Sequence, residues 1–254
     1  MSILKKTATV VLLFAAGALA HAAPSVLHLR ADSWMPFNGD PAGEKPGYVV
    51  EFLREIFEPL GVKIDYQVMP WADALKSAEG GEIDGVLCAN ASEAEHLLLG
   101  TEPVAEPQFS LFVRKDSPWK YQNLRSLQGV QLGAVEGYKY WDSIDGYIKK
   151  STPPAVHFYS GDSPAALAAA DLAAGKVDVV VESVLVFYWT LKGNGQKISD
   201  FRTAYTEKSD PLFVAFHKNK RGLEYSKMLD EGLRRLKSNG RFDSILEKYG
   251  FAKN

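Results

Sequence analysis

An α/β fold with mainly parallel sheets is predicted for this 254-residue chain on three observations. Strand-like and helix-like runs alternate along its length. Val49, Val50, Phe52, Leu53, Ile56 and Phe57 recur at the three- and four-residue spacing of a helix with one buried face. Val177-Asp-Val-Val-Val-Glu182 is almost continuously apolar, as a strand buried on both faces requires.

The chain opens with an export pattern. Lys5 and Lys6 precede an apolar run from Thr7 to Ala20, and Ala20-His-Ala22 gives a small-residue cleavage site. The run is shorter than the ~20 residues of a membrane span, so residues 1–22 are read as a signal peptide and the mature protein is expected in the periplasm. No cysteine lies near the cut, so no lipid anchor is expected there.

The first expected strand is Val26–Arg30, and the loop Asp32-Ser-Trp-Met-Pro-Phe37 follows it. A turn ending at Gly47 leads into the helical segment, which Pro59 and Gly61 close. Val62–Val68 reads as a strand. Trp71–Ala78 reads as a helix closed by Gly80-Gly81, and Gly85–Ala89 as a strand. Ser92 with Glu95 fits a capping box opening a helix over 93–99. Gln108–Arg114 is a strand, and the polar, proline-bearing stretch Lys115–Pro118 is the candidate hinge. Further on, Gln131–Val135 and Val156–Tyr159 are strands, and Glu136–Trp141 is expected to start a helix. Ser160–Pro164 caps an alanine-rich helix, with Pro164 in its first turn where a missing N–H costs nothing, and Gly175 stops it. Pro211–Phe216 is a return strand, and 223–238 and 241–249 are two closing helices separated by Gly240.

Several chemistries are unsupported. The formal charge is −2, and loss of Lys5 and Lys6 takes it to about −4. No basic concentration suits nucleic acid; Lys218, Lys220 and Arg221 read as a solvated loop. The histidines at 21, 28, 96, 157 and 217 lack ligand-like spacing, so no metal or other cofactor is expected. Cys88 is the single cysteine, so no intrachain disulfide can form, and its apolar strand suggests a core position. No Gly-x-Ser-x-Gly elbow suggests a hydrolase.

Several short pieces, in order and spacing, together resemble the family 3 extracellular solute-binding proteins of ABC importers, the amino-acid-binding type. They are Asp32–Phe37, Gly47–Phe52, Gly81–Gly85, Phe112–Ser117, Leu127–Gly129 with Gly133, Gly175–Val179, and Leu236–Gly240 through Ile245–Tyr249. The resemblance covers essentially the whole mature chain. It implies a two-lobed periplasmic-binding fold (type II) with the ligand cleft between the lobes. Residues 23–114 and 210–254 would form lobe one and 115–209 lobe two. It further implies a monomer that captures a small-molecule ligand and meets an inner-membrane ABC permease.

Carried over residue by residue, the resemblance places Asp32, Trp34 and Phe37 at the ligand, an acid for an ammonium beside an aromatic wall. Core packing is the alternative for the two rings. Trp71 matches a tryptophan beside the cleft. The family's threonine, followed three residues later by an arginine that grips the ligand carboxylate, is replaced by Asn90-Ala-Ser-Glu-Ala-Glu-His96. Counting from Asp84 puts His96 at the arginine position, and counting back from Pro103 puts Ala94 there. Neither supplies a guanidinium fork. Asn90, Ser92 and His96 are the candidates this stretch offers, while Glu93 and Glu95 read as acids favouring a helix start. In lobe two, Tyr138, Tyr140 and Trp141 are positioned to close over a ring or cation. Glu182 is either an ammonium partner or a structural acid capping the next helix. The acids at 32 and 182, with these rings, suggest a cationic or ring-bearing ligand. Two other readings share the fold: a periplasmic cyclohexadienyl dehydratase using Glu182 or Asp32 as proton donor, and a receptor that docks on a membrane sensor.

Overall fold

The computed structural model describes residues 25–151 and 154–251; the signal-peptide expectation over 1–22 lies outside them. The chain begins with strand β1 (Ser25–Ala31), helix α1 (Tyr48–Phe57), strand β2 (Val62–Val68), helix α2 (Trp71–Gly80), strand β3 (Gly85–Ala89) and the short strand β4 (Leu98–Leu99). It continues through β5 (Gln108–Arg114), β6 (Leu132–Val135), α3 (Asp142–Lys150), β7 (Val156–Tyr159), α4 (Pro164–Ala174), β8 (Val179–Ser183), α5 (Val184–Gly193) and β9 (Phe201–Lys208). It returns in β10 (Phe213–Phe216) and ends in α6 (Lys220–Ser238) and α7 (Arg241–Lys248).

These elements form two five-stranded sheets, ordered β2-β1-β3-β10-β4 and β7-β6-β8-β5-β9. In each, three strands run parallel through helical crossovers, and the strand arriving from the other lobe inserts antiparallel. The sheets are therefore mixed rather than mainly parallel. All six apolar positions read on α1 are buried, so the helix covers the first sheet with the face its spacing defines. Gly47 precedes it at φ 108, where a Cβ would lie 2.3 Å from the Asn38 Cα; only glycine fits that close approach. Every residue of β8 is buried, including Glu182 and Ser183. Cys88 is buried in β3 and adopts φ 62, a left-handed conformation that non-glycine residues rarely take.

The boundary between the lobes differs from the expected one. β5 pairs with β8 and β9, so Gln108–Arg114 belongs to the second lobe and the chain crosses before it. The crossing strands lie side by side: Val104 N–H donates to Leu212 O at 2.8 Å, and Leu212 N–H to Ala105 O at 2.8 Å. Lys115–Pro118 is instead a turn inside lobe two, its first amide bonded to Asp200 O at 2.7 Å. Its polarity marks solvent exposure, which turns and linkers share. Among the described residues no helix is long and apolar enough to cross a membrane.

Candidate functional site

The loops at the C-terminal ends of β1, β2 and β3 meet those after β6 and β7 and the end of β8. Strand ends of this kind are where open α/β sheets place ligands. Trp34, after β1, donates its indole N–H to Glu182 Oε1 at 2.9 Å. Tyr138, after β6, donates its hydroxyl to Asp32 Oδ2 at 2.5 Å. Glu93 Oε1, after β3, accepts from the Lys139 amide at 3.2 Å and from the Trp71 indole at 3.2 Å. Ser33 N–H reaches Asp162 O at 2.7 Å. The lobes are shut on one another. A cavity of about 20 Å³ remains, bordered by Asp32, Trp34, Trp71, Cys88, Glu93 and Tyr138 among others, roughly the space of one water.

Tyr138 is at the centre. Its ring stands edge-on to Trp34 at 6.2 Å and 88°, and edge-on to Trp71 at 6.2 Å and 85°. Gly137 makes this placement by turning the chain at φ 82, where a helix had been expected to begin; α3 starts later, at Asp142.

Three carboxyl groups converge here and each resists ionisation. Burial pushes Asp32 up to about 7, against the opposing effect of the Tyr138 hydroxyl. Burial pushes Glu182 up to about 8, although the Ser183 amide and Trp34 indole favour its charged form, and the charge of Asp32 adds to the rise. Burial likewise pushes Glu93 up to about 8, despite its three N–H donors, again with Asp32 adding. Glu182 is 1% exposed, and its Oε2 has no hydrogen-bond partner. An orphaned buried oxygen of this kind is costly unless it is protonated or meets a donor.

The residues expected at the site divide. Asp32, Trp34, Trp71 and Tyr138 border the cavity, and Glu182, outside that lining, joins them through the Trp34 indole. Phe37 is 1% exposed, stacks on Trp34 at 4.4 Å and lies tilted against Tyr48 at 5.3 Å, so it supports Trp34 from the core of lobe one. Tyr140 packs its ring against Phe109, which borders the cavity, but its hydroxyl turns away and accepts from the Val135 amide at 2.8 Å. Trp141 lies outside, against Tyr205 at 5.9 Å. His96 is exposed and does not border the cavity. Asn90 and Ser92 are engaged locally: Asn90 Oδ1 accepts from the Ser92 hydroxyl and from the amides of Ser92 and Glu93. The Glu93 carboxylate returns to the Asn90 amide at 3.0 Å. The reciprocal box is therefore Asn90 with Glu93, and turns with β4 replace the helix expected over 93–99. The same spacing, read two residues earlier, would have singled out Glu93.

Two α/β lobes joined by a paired crossing, with strand ends closed over a buried polar and aromatic cleft, define a two-lobed solute receptor. The chain belongs to the bacterial extracellular solute-binding proteins, family 3, whose sequence pattern matches residues 29–253. It is 22% identical over 230 residues to a probable amino-acid-binding protein, YxeM, of Bacillus subtilis (strain 168), covering 89% of this chain and 84% of that one. A probable histidine-binding protein of Neisseria gonorrhoeae is 23% identical over 222 residues, covering 86% and 80%. Among solved structures, an ancestral arginine-binding protein bound to arginine superposes with a TM-score of 0.73 at 21% identity, covering 91% of this chain and all of the other. At that identity the likeness speaks for the fold alone.

Proposed function

We propose that this protein works in the periplasm as a monomer, captures a small organic cation by closing its lobes, and delivers it unchanged to an inner-membrane ABC permease. One observation carries the reading: three carboxyl groups, Asp32 and Glu182 buried and Glu93 half-buried, gather at the cleft, and among the described residues no buried cation opposes them. Lys139 is the basic residue bordering the cavity, yet it is exposed, and its charge acts on Asp145 instead. Entry of an ammonium would ionise the acids and supply the donor that Glu182 Oε2 lacks, so binding energy would be realised in the closed form. One relative is named for histidine, a basic solute. The site departs from carboxylate capture, because exposed His96 or buried Ala94 stands where the resemblance places an arginine. The missing arginine counts against a dehydratase, which must hold a substrate carboxylate.

The test is a thermal-shift panel of organic cations, neutral solutes and carboxylates. A bound cation at a hundredfold excess over Kd should stabilise the protein by about 2.7 kcal/mol. Stabilisation by a carboxylate and by no cation would overturn the proposal.

A further inference from the structure

We propose that the solute is a diamine without a carboxylate, one ammonium held by Asp32 and Glu182 and the other by Glu93. The inference rests on the cationic reading above and narrows it to one chemical class.

The cleft has two ends of the same construction. At one, the Trp34 indole N–H is bonded to Glu182 at 2.9 Å. At the other, the Trp71 indole N–H is bonded to Glu93 at 3.2 Å. The Tyr138 ring stands edge-on to both indoles, with Asp32 on its hydroxyl. Each end thus pairs a carboxyl group with an aromatic wall, the combination that receives an alkylammonium.

Charge decides the class. A single ammonium compensates one carboxylate and leaves Glu93, half-buried at the far end, without a cation. A second ammonium on the same chain serves Glu93, and the methylenes between lie along the indoles. A basic amino acid also brings two cationic groups, but its carboxylate would meet Asp32 and Glu93 in the cavity lining, where the one base, Lys139, is exposed to solvent. The Tyr138 hydroxyl now occupies Asp32 and would yield that oxygen to the first ammonium, which also loosens the tight closure.

Calorimetric titration of the mature protein at pH 8 with 1,4-diaminobutane, 1,5-diaminopentane, 1-butylamine and lysine tests this. One of the diamines should bind at least about 100-fold more tightly than butylamine or lysine. Glu93→Gln should cut the preference for diamine over butylamine to within about tenfold, and Asp32→Asn should weaken both amines. Butylamine or lysine binding as tightly as the diamines would overturn this inference and leave the cationic reading standing. No heat with any amine, alongside binding of a neutral or anionic solute, would overturn both. The wild-type comparison decides the matter even if a variant fails to fold.

Discussion

Replacing Glu182 with Gln should flatten the pH dependence of the stability of the ligand-free protein. Glu182 is raised from an ordinary 4.5 to about 8, so the folded protein keeps its proton at pH values where the unfolded chain has released it. The resulting stabilisation is complete below about pH 4.5 and is lost as pH rises toward 8. Between pH 5 and 7 the loss from this one group approaches that of one proton, about 1.4 kcal/mol per pH unit. Gln keeps a carbonyl oxygen for the Trp34 indole and Ser183 amide but carries no titrating proton. Asp32 and Glu93 act in the same direction and remain in both proteins. Asp65, lowered to about 2, works in the opposite direction only below about pH 4. Urea unfolding at pH 5, 6 and 7 should give Glu182→Gln a slope shallower by about one proton, roughly 1.4 kcal/mol per unit. Parallel lines for the two proteins would refute the reasoning, because Glu182 would then titrate alike folded and unfolded.

Tyr138→Phe removes the hydroxyl that occupies Asp32 at 2.5 Å. With one hydrogen bond fewer to displace, the solute should bind about five- to tenfold more tightly; an unchanged calorimetric Kd would show that the hydroxyl does not compete. Asp230 is buried in α6 and accepts from the Thr101 amide and hydroxyl and from the Glu102 amide, at 2.9–3.0 Å. Asp230→Ala should cost about 3 kcal/mol by leaving those donors unpaired, with solute affinity unchanged, as urea unfolding and calorimetry together would report. A shift in affinity would tie this anchor to the cleft.

What the sequence revealed is what local pattern controls. The spacing on α1 identified its buried face, and the apolar run of β8 identified a central strand with an acid at its end. Asp32, Trp34 and Glu182 were legible because they follow or end strands. Glu93 was hidden, because an acid in a first turn reads as a helix-start residue until its carboxyl is seen between Trp71 and the Lys139 amide. Tyr138 and Trp141 are three residues apart in one aromatic loop, yet the turn at Gly137 sends one into the cleft and leaves the other against Tyr205. Pairing of β5 with β8 and β9 is likewise a long-range choice. No property of Gln108–Arg114 marks which sheet it joins, and the polar stretch after it drew the boundary too late.

Release of the captive solute from natively expressed protein by mild denaturation, followed by mass spectrometry, bears most directly on an acidic cleft built for cations. A compound with one or more basic nitrogens and no carboxylate is the expected finding. Recovery of an organic acid or an uncharged sugar, bound in stoichiometric amount, would contradict it.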